Sequence, residues 1–189
     1  MITFITFDEL ARGVFSFLCY QDPSRTFQPG GEPVAMCARC VGVYVGFLFA
    51  LPLMIVATRM SGKWALYLHA LFVLQIIPFG FHLIPHGPTV RAISGQLFAI
   101  GVVYLLFRAI RLGKFHAHPG KYPLLWFMRY LLLTALAVVG LQLLLRLGWS
   151  WAGTLINVLA LIGLGVFVVL AVVLLLSLGS RAIGPRQSA

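Results

Sequence analysis

Cys19, Cys37 and Cys40 are the chain's three cysteines, and the last two form a Cys-x-x-Cys pair. That spacing lets two sulfurs converge on one metal ion, or on each other as a disulfide. The segment around them runs from Cys19 through Gln21, Arg25 and Phe27, crosses a Gly/Pro-rich loop over 28–33, and continues as Cys37-Ala-Arg-Cys40-Val-Gly-Val-Tyr-Val-Gly46. Amides at a helix start and the guanidinium groups of Arg25 and Arg39 favour thiolate over thiol. Farther along, His82 and His86 share a helical face with Gln75 and Phe79, and Arg91 opens the next apolar run. Three sulfurs and one imidazole suit a tetrahedral ion. The expectation is a site for zinc or iron made by Cys19, Cys37, Cys40 and His82. Arg25, Arg39, Arg91 and His86 would stand around it, as hydrogen-bond partners of the ligands or as anion-binding groups.

Something must bring these residues together, and composition says what. Of the 189 residues 61% are hydrophobic and 10% charged, with mean hydropathy +1.00. A soluble domain carries roughly 25% charged residues, so lipid is the solvent for much of this chain. Apolar runs over 41–58, 65–84, 92–110, 124–145 and 155–178 each approach the ~20 residues that cross a bilayer as a helix. Alternating strand-like runs are absent, which argues against a barrel. The fold expected is all-α, a polytopic membrane bundle of about five transmembrane helices. Pro52 and Pro78 should kink their spans rather than break them, because neighbouring helices can satisfy the freed carbonyls.

The first 18 residues do not read as a cleavable signal, since Asp8, Glu9 and Arg12 interrupt the apolar stretch. Phe4, Phe7, Ala11, Val14 and Leu18 fall on one helical face, with Asp8, Glu9, Arg12 and Ser16 opposite. The pattern predicts an interfacial amphipathic helix that delivers Cys19 to the membrane surface. Three regions follow: 1–40 as this helix with the cysteine loop, 41–178 as the bundle, and 179–189 as a polar tail.

The net charge of +10 does not indicate nucleic acid, because Lys and Arg sit singly or in pairs at the ends of apolar runs. One side receives Arg59, Lys63, Arg108, Arg111, Lys114, Lys121, Arg129, Arg181 and Arg186. The other receives Arg12, Arg25, Arg39, Arg91 and Arg146, making nine against five of the 14. The excess marks the first side as cytoplasmic, with the N-terminus outside and the C-terminus inside a prokaryotic plasma membrane. The partners expected are the lipid bilayer and other membrane-protein subunits.

The cysteine segment also resembles a prokaryotic membrane-protein family, domain of unknown function 2085. The matching positions are Cys19, Gln21, Pro23, Arg25, Thr26, Phe27, Cys37, Arg39, Cys40, Gly42, Tyr44 and Gly46. Arg91 and Gly95 are similar to a later Arg-x-x-x-Gly element. The departure is Tyr20, where the family carries His; a ligand lost there is one that His82 would replace. The resemblance implies a polytopic membrane protein and supplies no activity.

Gly42 and Gly46 form a Gly-x-x-x-Gly packing face, while Gln142, Asn157 and His69 read as interhelical hydrogen bonds. His116 and His118 alone make a weak metal pair. No Walker loop, nucleophile elbow, His-Glu-x-x-His or Rossmann fingerprint is present, and no acid follows Glu32. Three readings stay open: a thiolate metal site, a membrane thiol–disulfide oxidoreductase using Cys37 and Cys40 with Cys19 as resolving thiol, and a non-enzymatic accessory or scaffold subunit.

Overall fold

A computed structural model describes residues 6–60, 62–80, 83–110, 122–146 and 149–183. It is helical, with no strand among the described residues. A short helix α1 (Phe7–Ser16) precedes the cysteine loop. The remaining helices are α2 (Ala38–Ala57), α3 (Gly62–Leu74), α4 (Ile76–Gly80), α5 (Pro88–Ile110), α6 (Pro123–Arg146) and α7 (Ser150–Ile183). Among the described residues, five stretches are long and apolar enough to cross a membrane, with α3 and α4 together making the second.

The two prolines behave differently. Pro52 lies within an unbroken α2. Pro78 cannot donate to the carbonyl four residues earlier, that of Leu74, and the second span turns at Gln75. At this turn the Gln75 side chain donates to the carbonyls of Phe72 at 3.0 Å and Ser94 at 2.8 Å, the latter bond tying the second span to α5. The last helix is longer than its apolar run suggested. Its 34 residues span about 51 Å, so it tilts or extends beyond the ~30 Å hydrocarbon layer.

Helix α2 is the axis, packed against both α5 and α7. The approach is close enough to require glycine. A Cβ on Gly42 would strike the Ala92 carbonyl, one on Gly95 the Arg39 carbonyl, and one on Gly163 the Tyr44 carbonyl. Pairing Gly42 with Ala92 and Gly46 with Gln96 and Ala99 makes α2 and α5 parallel, as two spans separated by one return must be. Small residues let backbones meet where lipid offers no hydrophobic drive for association. The outward faces of α3, α6 and α7 expose Leu71, Leu132, Leu136, Val169 and Leu175, as a lipid-facing surface should.

Interhelical polar contacts form for two of the three expected residues. His69, wholly buried, donates from Nδ1 to the Ala65 carbonyl at 2.6 Å. That leaves Nε2 of the neutral ring to accept from the Tyr130 hydroxyl at 2.7 Å. Asn157 links α7 to α1 and the loop. Gln142 differs: its buried amide nitrogen and oxygen find no hydrogen-bond partner among the described residues.

The face that α1 presents to the bundle also differs from the expected one. Ala11 and Phe15 are fully buried, and Asp8 on the same side accepts from Thr154 Oγ1 and Asn157 Nδ2, each at 2.8 Å. Phe7, Leu10, Phe17 and Leu18 are exposed. The helix is thus two-faced in another sense: one side docks on α7, and a second apolar side faces outward. An isolated helix would put Asp8 in water, but Thr154 and Asn157 offer two donors to its carboxylate.

Candidate metal centre

Each cysteine is placed by a different local device. Helix α1 begins with a capping box, in which Thr6 and Glu9 satisfy each other's backbone N–H groups. It ends with the Cys19 N–H donating to the Phe15 carbonyl at 2.8 Å. Gln21 then adopts a left-handed conformation, φ 54°, costly for a residue with a side chain. Its amide repays this by donating to the Arg12 carbonyl at 3.0 Å. The turn bends the chain back over α1 and directs the Gln21 N–H to the Cys19 sulfur.

The loop that follows is anchored. Gly30 and Gly31 have φ of 67° and 89°, which closes the tight turn between Phe27 and Val34, whose N–H donates to the Phe27 carbonyl at 3.1 Å. Pro29 packs near Gly153 of α7. Val34, Ala35 and Met36 are buried, and the Ala35 N–H donates to Asn157 Oδ1 at 3.0 Å. The loop therefore delivers Cys37 as the residue before α2, with Cys40 in the first turn.

The result is convergence. The three Sγ atoms lie within 4.8 Å of one another, all half-buried and none in a disulfide. A tetrahedral ion with Zn–S near 2.3 Å holds its sulfurs about 3.8 Å apart. Closing the gap takes side-chain adjustment, not refolding. The Cys37 N–H donates to Cys19 Sγ at 3.4 Å. Hydrogen bonds from the Cys37 and Cys40 thiols, aided by the Cys37 and Gln21 amides, hold Cys19 well below the ordinary thiol range. Tyr44, one turn below Cys40, packs with Phe15 at a ring separation of 4.9 Å and floors the site.

The other expected residues are distributed around this centre. Arg39 donates from Nη2 to the Phe79 carbonyl at 2.6 Å, tying the start of α2 to the end of the second span. His86 lies against Phe79, ring centroids 5.5 Å apart, with Nδ1 2.6 Å from the Ile84 carbonyl. Arg25 pairs with Asp22 at 3.1 Å on the exposed rim. Arg91 opens α5, one turn before Gly95. His82, together with His116 and His118, lies outside the described residues. The Tyr20 side chain is 95% exposed and takes no part in the cluster.

Two contributors were not visible as such in the sequence. Gln21 was a motif position without a role, and only backbone geometry reveals it as the hinge of the Cys19 turn. The apolar stripe puts Asp8 on the opposite, polar face of α1; its spacing with Ala11 and Phe15 is the available signal that a third face exists.

Comparisons with known proteins agree with the location of the motif. A 35-residue segment is 49% identical to an uncharacterised protein of Methanocaldococcus jannaschii, covering 18% of this chain and 22% of that protein's length. No solved structure matches. The family model described as predicted membrane protein (DUF2085) matches residues 19–107, from the first cysteine to near the end of α5. Over those residues the chain is similar to the DUF2085 membrane-protein family.

Proposed function

We propose that this protein holds a zinc or iron ion in a three-thiolate site at the outer membrane face, with Cys19, Cys37 and Cys40 as ligands and His82 as the fourth. The observation that carries the reading is the meeting of three free sulfurs from two sequence-distant segments. Burying thiolates together is unfavourable without a positive partner, and one divalent ion serves all three. Support for His82 is its place in the chain. The Arg39 hydrogen bond brings Phe79 to the Cys37–Cys40 turn, and three further residues reach about 10 Å. Orientation rests on the nine-to-five excess of Lys and Arg at the opposite end. There Arg59 and Arg129 flank the Trp126 ring at 5.9 and 5.1 Å.

Bound there, the ion either braces the loop or, with one position open, polarises a ligand at the membrane surface. Elemental analysis of purified protein with free-thiol counting tests this. One zinc or iron per chain is expected, falling to background in the Cys19→Ser/Cys37→Ser/Cys40→Ser variant. Stoichiometric metal in that variant would refute the site. A Cys37–Cys40 disulfide without metal would give the case to thiol–disulfide exchange.

A further inference from the structure

We propose that Arg39 and Arg91 bind a phosphoryl group beside the cysteine cluster, with Arg25 at its rim. The site needs no metal for its own chemistry.

The argument starts from unsatisfied donors. The Nε–H groups of Arg39 and Arg91 are buried and have no acceptor among the described residues. Arginine stays charged at any relevant pH, so each buries part of a permanent cation. Leaving such a donor unpaired costs more than a neutral one. The nearby acceptors are already engaged. The Phe79 carbonyl takes Arg39 Nη2. The Asp22 carboxylate takes Ser24 N–H and Oγ–H and pairs with Arg25.

The arginines also belong together. Gly95 rests on the Arg39 carbonyl, and Arg91 stands one turn earlier on α5. Asp22 reports the same neighbourhood. Its carboxyl is held below the usual range chiefly by Ser24, with the charges of Arg25 and then Arg91 adding to the effect. Two guanidinium groups therefore share one carboxylate. The other acids are elsewhere: Asp8, Glu9 and Glu32 line a cleft of about 460 Å³ with Arg12 against α7. The parallel starts of α2 and α5 point their free amides to this same end, which favours an anion further.

A phosphoryl group fits for two reasons. Its oxygens accept from two guanidinium forks at once, and phosphate is the anion that a membrane surface supplies in quantity. The same chemistry comes from a lipid headgroup or from a soluble phosphate, and the two can be separated by probe. Protein in a maltoside detergent is titrated with inorganic phosphate and, separately, with dihexanoyl phosphatidic acid below its micellar concentration. Binding is read by 31P line broadening and by thermal stabilisation.

At least one probe should bind, and Arg91→Gln should weaken it about tenfold or more. Arg129→Gln at the opposite end should leave it unchanged. Response to both probes identifies a general phosphate site; response to phosphatidic acid alone identifies a lipid headgroup site. Arg91 is the deciding residue because Arg39 also holds Phe79. If Arg91→Gln does not fold, Arg91→Lys keeps the charge, loses the fork and should still weaken binding. Failure of both probes, or full binding in folded Arg91→Gln or Arg91→Lys, would overturn the proposal. Metal content measured on the same samples separates this outcome from failure of the thiolate site.

Discussion

The bundle contains two concentrations of polar chemistry, and they are built on opposite principles. Around His69, α3, α5 and α6 meet with each ring nitrogen engaged: Nδ1 on Ala65, Nε2 on Tyr130, and the ring stacked on Tyr104 at 3.8 Å. At the cysteine end, three sulfurs face one another, and two arginines keep buried donors without acceptors among the described residues. Polar groups in a bilayer are costly, so both clusters must have a purpose. A closed cluster spends its capacity on joining helices. An open one has capacity left for a further partner.

Breaking the closed cluster should damage the fold and spare the site. His69→Ala removes a fully buried ring and leaves the Tyr130 hydroxyl without its acceptor. The lost packing and the orphaned group together predict destabilisation of about 3 kcal/mol, measured as a shift in the denaturant midpoint in micelles. Metal content of the folded fraction should match the parent. Loss of metal from folded His69→Ala would abolish the distinction between the two clusters.

A smaller perturbation tests whether the open cluster depends on its scaffold. Asp8→Ala would strand Asn157 Nδ2, in a residue 3% exposed, and Thr154 Oγ1. The expected cost is about 1–3 kcal/mol, confined to the docking of α1. Hydrogen exchange over residues 7–16 should quicken, and metal affinity should fall several-fold because Cys19 follows that helix. Unchanged exchange would show that Ala11 and Phe15 hold α1 without the polar clasp.

The contrast also explains what could be read in advance. Five spans were legible because a run of apolar residues long enough to cross lipid has few other uses. The cysteine motif was legible because its spacing is short and local. His69 was recognised as a polar bridge, but its partner Tyr130 was not, since nothing in a linear chain pairs residues 61 positions apart. Asp8 was assigned to the wrong environment for the same reason: its two donors come from α7. Gln142 reads as a helix bridge, and the packing gives it no partner among the described residues. Helix existence follows from composition; which polar atoms are satisfied follows from tertiary neighbours.

The smallest effect expected lies at the solvated start of α1, where a carboxylate acts without burial. The backbone N–H of Thr6 donates to Glu9 Oε2 at 2.8 Å, and the Glu9 N–H returns to Thr6 Oγ1 at 3.3 Å. The Thr6 backbone bond, then its hydroxyl, lowers the Glu9 pKa from the ordinary carboxylate value. A carboxyl with a lowered folded-state pKa binds fewer protons folded than unfolded. Its contribution is complete above the unfolded value of about 4.3 and drains away as pH falls through the folded one. Between pH 6 and 3, protection of the Thr6 and Glu9 amides, relative to the intrinsic exchange rate at each pH, should therefore fall, while protection at Cys19 N–H, bonded to Phe15, should not follow the same titration. Glu9→Gln should flatten the pH response, because a neutral amide keeps an acceptor without the charge. If Cys19 exchange follows the Glu9 titration, α1 behaves as one cooperative unit, and its solvated start is coupled to the thiolate end after all.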